Sequence, residues 1–594
     1  MKTSRRRVVA ALGTTMLVPF IVGDAFAQSS RADRAFEALA RRWLDQSMRM
    51  SPVSATGIGD HRFDNDIDDV SAAGREAGLR FSREILSALN GIDRNQLSRA
   101  NQVDARLLEN TLNAGIWQTE VNQSWAWNPL GYQSLAGGAL YSLMAREFAP
   151  MRRRLQNATQ RMEKLPRLLA QTRGELQPAR VPTPHAATYS AQNQGVKSII
   201  NDMILPRKDE LSGSARTRLE RAAAAAIAAI DEHQAWIDGT LVPAAHADFR
   251  CGAEAFDTQL GFTLQTNLTR QQIRQRADAA VIRVREEMYR ISKQALAGRA
   301  GAPATPDAPT PEQQQAAIRA ALDLAAAERA PRNQIVEVAT AAVEEARSFV
   351  QAHDLITLPE GPVRVILMPE FQRGFAVAYC DSPGPLERQL ETFYAVSPIP
   401  DDWTEEQATS FLREYNTRAI TDVGVHEAMP GHYVQIFHSN SYPSTLRAVL
   451  GSGSFVEGWA VYAEQMMVEE GFKADDPLYK LSQLKVLLRT ITNSIIDQAI
   501  HVDGMTQEEM MTLLTQTAFQ EEREAAGKWR RAQLSFTQLS TYFVGYSEHV
   551  ETRDAAKAHY GQRFDLKGYH DRILSYGSPP MRYARALYLE TPIQ

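Results

Sequence analysis

The sequence predicts a mainly α protein with a small β-sheet placed just ahead of its most chemically informative segment. Two observations carry this. Apolar residues recur at helical spacing through long stretches, opened by Thr-x-x-Gln capping patterns and by proline at tolerated first positions. Between residues 363 and 396 the rhythm changes to short β-branched and aromatic runs separated by Pro and Gly. With only Cys251 and Cys380 in 594 residues, a disulfide framework is excluded, and two separate small apolar residues are the expectation.

In chain order, Met1 to Arg7 is basic, Val8 to Gly23 is apolar, and Ala25-Phe26-Ala27 precedes Gln28. This is the pattern of a bacterial export signal over residues 1–27, too short for a lasting membrane span. Ser4-Arg5-Arg6-Arg7-Val8-Val9 also resembles the twin-arginine export pattern, which leaves two export routes open. Without a cysteine near Ala27, no lipid anchor is expected, and the expected location is the periplasm or the exterior. Removal of residues 1–27 takes a net +3 with it, from −5 to −8, a balance that does not suggest nucleic acid or anionic lipid as partner. The remainder, 28–594, exceeds a usual single core, yet no long linker divides it. It is read as one helical domain, with a mainly helical part at 28–360 and a metal-site part at 361–594.

Helices are expected from Ala32 to Met50, with Pro52 as the stop, and over the alanine-rich Leu219 to Ile237. Another is expected from the capping box Thr269-Arg270-Gln271-Gln272 to about Leu296, stopped by Gly298. Residues 299–310 form a loop, and Thr310-Pro311-Glu312 restarts a helix. Val363 to Met368, Phe375 to Tyr379 and Thr392 to Val396 read as strands, with Phe375 to Tyr379 proposed as an edge to which a peptide could add by backbone pairing. Thr404-Glu405-Glu406-Gln407 caps a helix leading into the segment that carries the chemistry.

That segment is His426-Glu427-Ala428-Met429-Pro430-Gly431-His432, followed by Glu457-Gly458-Trp459-Ala460-Val461-Tyr462-Ala463-Glu464. Two imidazoles, a carboxylate beside the first and a carboxylate 25 residues after the second are the parts of a catalytic zinc site: three protein ligands, with water in the fourth place. His426, His432 and Glu457 are read as ligands of one Zn2+ ion, and Glu427 as the base. Two His residues six apart point roughly 120° from each other on an unbroken helix and cannot share an ion. Pro430 forces a kink or break, and Gly431 opens further backbone conformations, so that His432 can swing back. Glu464, seven residues after Glu457, is expected on about the same face, as acceptor for a ligand imidazole or partner of an arginine.

These motifs resemble the signature of the bacterial domain-of-unknown-function 885 family, and the likeness extends to Ser51–Gly57, Asp497–His501, Gln538–Gly545 and Phe564–Asp571. The family is grouped with the gluzincin-type zinc metallopeptidases, whose third ligand is a Glu on a second helix. The resemblance implies a two-lobed helical fold with a small sheet flanking a deep cleft, and hydrolysis of oligopeptides of carboxypeptidase, dipeptidase or oligopeptidase type.

His570, in the family-like Tyr569-His570-Asp571, and Tyr542 are the leading donors to the charge that grows on an attacked carbonyl oxygen. Asp497 and His501, four apart, are expected as a hydrogen-bonded structural pair. His438 is read as surface or packing, and Arg582 as a solvated charge, although it could receive a substrate carboxylate. The rival reading is a non-catalytic exported protein that binds a peptide or envelope component around a vestigial or structural metal site. A third is a metal-dependent hydrolase of non-peptide amides or esters. A structural site is closed by a fourth protein ligand, and a catalytic one is not.

Overall fold

The computed structural model describes residues 30–368 and 377–593, and within them the chain is mainly helical with one three-stranded sheet. The expected export signal and residues Phe375 and Ala376 of the expected edge strand lie outside the described residues. No described helix is long and apolar enough to cross a membrane.

The helices that frame the site are numbered in chain order: α1 (Arg31–Met50), α2 (Met151–Glu175), α3 (Gly213–Trp236), α4 (Arg270–Leu296), α5 (Ile335–Ala352), α6 (Thr417–Glu427), α7 (His432–Asn440), α8 (Gly453–Glu469), α9 (Pro477–Gln498), α10 (Glu522–Leu534), α11 (Ser540–Tyr560) and α12 (Leu566–Leu574). Where a cap is written in the sequence, the boundary follows it. Thr269 and Thr404 each accept from the amide three residues on while the Gln there bonds back, and Gly298 stops α4 at a φ of +71°. Pro311 begins its helix as expected. The alanine-rich helix α3 starts at Gly213, six residues before Leu219, because polar Ser214 to Arg218 continue it along a solvent face.

The sheet has the order β1 (Val363–Leu367), β3 (Thr392–Val396), β2 (Ala378–Asp381). Strand β3 is fully buried; it runs parallel to β1, with Val363 opposite Thr392, and antiparallel to β2, with Tyr379 opposite Ala395. The expected edge at Phe375 to Tyr379 is thus shifted, its strand beginning at Ala378.

One apolar core gathers the site's supports: Val343 and Ala346 of α5, Tyr394 and Val396 of β3, Val425 of α6, Trp459 of α8 and Ile573 of α12. A second joins α2 to α3, where Ala222, Ala223 and Ala226 lie buried. A third packs α4 against α9 and Phe543 of α11. This last core joins residues before 360 to residues well after it, so the apolar contacts do not divide at the expected 360/361 boundary. Further across that boundary, Arg447, wholly buried, donates to Asp104 Oδ1 at 2.6 Å and to the carbonyls of Ala100 and Tyr576. Cys251 and Cys380 are free thiols.

Candidate metal centre

Helix α6 ends at Glu427, and α7 begins at His432. Between them the helix is broken rather than bulged. The amides of Ala428 and Met429 both bond the carbonyl of Gly424, the Met429–Pro430 peptide is cis, and the Gly431 amide returns to the carbonyl of Val425 at 2.9 Å. Gly431 has φ −72° and ψ −129°, outside the α and β regions, and a Cβ there would also lie 1.8 Å from the His426 carbonyl oxygen. Glycine is required by the closeness of the returning chain. Trp459 of α8 closes the arrangement, donating its indole N–H to the carbonyl of Pro430 at 2.9 Å.

The result brings His426, His432 and Glu457 together, one potential ligand atom of each lying within 4.8 Å of the others. Glu457 Oε2 is 3.4 Å from His432 Nε2 and 3.8 Å from His426 Nε2. Atoms about 2.1 Å from a tetrahedral zinc stand roughly 3.4 Å from one another, which the two Glu457 separations approach. The imidazole rings are nearly perpendicular, with centroids 4.8 Å apart. The group remains reachable from solvent, the Glu457 side chain being 23% exposed.

His426 is oriented for this use. His426 Nδ1 bonds Glu464 Oε1 at 2.6 Å, which leaves Nε2 directed at Glu457. His432 Nδ1 is buried without a partner among the described residues. Burial works against charge on Glu457, but the two imidazoles beside it hold its carboxyl well below the ordinary range. Asp422, one turn before His426 and not anticipated from sequence, is fully buried behind it, 3.4 Å from the Tyr479 hydroxyl. Burial, reinforced by the neighbouring Glu464 charge, pushes its carboxyl far up. The i, i−4 spacing from His426 was its only sequence signal.

Glu427, the last residue of α6, is 8% exposed, and no hydrogen bond reaches its carboxylate from the described residues. Its charge raises the pKa of both Cys380 in β2 and Tyr394 in β3, alongside the larger effect of burial, which puts the carboxylate beside the sheet.

Of the two expected donors, one lies on the helix that crosses α8. Helices α8 and α11 touch backbone to backbone: a Cβ on Gly458 would lie 2.3 Å from the Gly545 carbonyl carbon, and one on Gly545 would lie 1.9 Å from the Ser454 carbonyl oxygen. This crossing puts Glu457, next to Gly458, near Tyr542, one turn before Gly545. Burial and then the Glu457 charge raise the Tyr542 phenol. Its oxygen accepts from Arg531 Nη2 at 2.9 Å and Gln538 Nε2 at 3.2 Å, leaving its own O–H to donate elsewhere.

His570 is not such a donor. Wholly buried, it donates from Nδ1 to the Leu355 carbonyl at 2.8 Å, and the remaining Nε2 accepts from the Tyr462 hydroxyl at 2.7 Å. Burial holds its pKa down to about 4. Both nitrogens are committed to structure.

Asp497 and His501 do not pair. Asp497 accepts from the Thr537 amide and from Ser540, capping the start of α11, while His501 bonds the Ala532 carbonyl. His438 bonds the Thr357 carbonyl, and Arg582 donates to Asn267 at the surface.

The family model described as "Bacterial protein of unknown function (DUF885)" matches residues 52–587. A solved structure from Shewanella oneidensis, described as a "putative lipoprotein of unknown function", is 34% identical; the match covers 93% of this chain and 99% of that one, with a TM-score of 0.77. A "putative lipoprotein" from Colwellia psychrerythraea shares the fold at 16% identity and a TM-score of 0.78, over 94% of this chain and 99% of that one. None of the curated proteins matches.

Proposed function

Because this chain belongs to the bacterial DUF885 family, we propose that it is an exported zinc-dependent metallopeptidase of the gluzincin type, hydrolysing oligopeptides in a cleft between helical lobes. The observation that carries the reading is the convergence of His426, His432 and Glu457 on one point, with Glu427 next in sequence to the first ligand. Export is supported by the composition of residues 1–27 and by the lipoprotein descriptions of the two structural relatives. The three-residue donor group, without a fourth His, Cys, Asp or Glu among the described residues, favours a catalytic over a closed structural site.

His426, His432 and Glu457 would hold the ion, and Glu464 would orient His426. A zinc ion in such a shell supplies a water acidic enough to lose a proton near pH 7 and withdraws electrons from a carbonyl oxygen. Glu427 accepts the proton of the attacking water and hands it to the leaving amine as the carbon–nitrogen bond breaks. The Tyr542 hydroxyl donates to the oxygen on which negative charge grows.

Strand β2 is the substrate edge in this proposal. The Ser397 amide bonds the Val377 carbonyl, so in the antiparallel ladder Ala378 and Cys380 turn their own N–H and C=O groups away from β3, where a peptide backbone could pair with them.

Glu427→Gln tests the proposal. Turnover of a peptide library should be abolished while zinc stays near one per chain by elemental analysis, and a variant as active as wild type would eliminate this base. Stoichiometric zinc persisting in both His426→Ala and His432→Ala would place the metal elsewhere.

A further inference from the structure

The wall beyond Tyr542 carries more positive charge than its own carboxylates use. Helix α10 turns Glu524, Lys528 and Arg531 towards α9 and α11, at spacings of four and three that put them on one face. Glu524 is taken by Arg489 of α9 at 2.7 Å and by the Tyr415 hydroxyl at 3.0 Å. The nearby Glu414 is taken by Lys485 at 2.7 Å. Lys528, 3% exposed, is left with a distant share of Glu524 at 4.0 Å, on the same oxygen that Arg489 holds. Arg531 has no carboxylate within salt-bridge distance among the described residues and uses Nη2 on Tyr542 and Gln538. Its Nε and Nη1 remain as donors.

A cation kept out of water without a counter-ion is costly, and the cost is recovered when an anion arrives. Burial and then the nearby Arg489 charge draw the Lys528 ammonium far below its ordinary pKa, an effect that an incoming carboxylate opposes. A second observation points to the same place. Along α9, Arg489, Asn493 and Asp497 form one ridge at four-residue steps; the first is bound to Glu524 and the last to Ser540. Asn493 lies between them on the same ridge, between the residue that binds Glu524 of α10 and the one that binds Ser540 of α11. The residue is 4% exposed, and its Oδ1 has no partner among the described residues. Buried polar groups of this kind are normally satisfied, and a bound ligand or its water would do so here.

We infer that Lys528 and Arg531 receive a carboxylate of the peptide substrate, next to the Tyr542 hydroxyl and the His426–His432–Glu457 group. This rests on the peptidase reading above and deepens it. When the carboxylate is the chain's own C-terminus, the enzyme trims peptides from that end. Arg531 then serves two partners, fixing the Tyr542 phenol through Nη2 while its other nitrogens meet the substrate. The reaction is simple hydrolysis: the water oxygen joins the carbonyl carbon, the carbon–nitrogen bond breaks, and the water's protons are shared between the new amine and the new acid.

The zinc-loaded full chain would be given three N-blocked peptides of one sequence: a free C-terminal acid, its C-terminal amide, and an amide with Glu as last residue. Products are read by mass spectrometry. The acid should be cut near its C-terminus with kcat/KM at least about tenfold above the amide. Lys528→Gln should bring that ratio close to one, with zinc content and melting temperature confirming the fold. Rescue of the amide by its terminal Glu would assign the subsite to an acidic side chain. Equal rates on all three peptides, abolished by Glu427→Gln, would overturn the inference and leave the peptidase. Should none be cut, calorimetric titration of Glu427→Gln with acid and amide decides separately: tighter binding of the acid upholds the subsite without the peptidase, and equal binding refutes it.

Discussion

Gly431→Ala tests the geometry on which the metal group depends. The added Cβ would sit 1.8 Å from the His426 carbonyl oxygen and 2.4 Å from that of Val425, whereas a real Cβ essentially never lies under 3.0 Å from such atoms. The chain between the two imidazoles must therefore open by about 1.2 Å, roughly six times the ~0.2 Å latitude of a metal–ligand distance. The obstacle is backbone, held by the Gly431 amide on Val425 and by Trp459 on the Pro430 carbonyl, so no rotamer change relieves it. Overpacking of this kind typically costs about 1–3 kcal/mol of stability. The expected outcome is a folded protein by circular dichroism, with a lowered melting temperature and zinc well below one per chain after dialysis against a weak chelator. Zinc at wild-type stoichiometry and affinity with an unchanged melting temperature would refute the idea that the close return at Gly431 builds the site.

Other outcomes follow from single contacts. Glu464→Gln keeps the shape but removes the charge that orients His426 through the 2.6 Å bond, and should weaken zinc binding by roughly 10–100-fold in a chelator competition. His570→Gln disturbs the Tyr462–His570–Leu355 chain; it should cost about 1–3 kcal/mol in chemical denaturation yet leave kcat per folded molecule within about threefold, and a collapse of kcat would restore His570 as a donor. His61 sits against Phe148 between Asp64 at 3.0 Å and Glu387 at 2.7 Å; although burial opposes its charge, these two carboxylates raise its pKa above the ordinary value. Its contribution to stability is fully present below about pH 6.5 and is lost as pH rises through the raised folded value. The melting temperature should therefore fall across that window, and the same interval should be flatter in His61→Gln.

What could be read from the sequence was whatever is written in local pattern. The caps at Thr269 and Thr404 set helix starts because their partners lie three residues away. The grouping of His426, His432 and Glu457 could be read because Pro430 forbids the continuous helix that would separate the two imidazoles. The closeness of Gly431 to a carbonyl five residues back could not, since it depends on the path of the whole turn. His570 was misread because a Tyr-His-Asp sequence is the same whether its ring meets a substrate or the Leu355 carbonyl. Asp497 and His501 are four apart, but α9 ends at Gln498 and the next turn widens to i, i+5 bonding, which turns the imidazole away from the carboxylate. Joins across hundreds of residues, such as Arg447 to Asp104, leave no local trace.

The crossing of Gly458 with Gly545 has one more consequence. Because the two helices meet through bare main chain, the gap between Glu457 and Tyr542 is calibrated by hard carbonyl surfaces that cannot hop between wells as a packed leucine can. A methyl group inserted at either position would act as a shim, retuning the reaction coordinate while each helix stayed intact, so lesions here should silence chemistry at temperatures where the fold still holds.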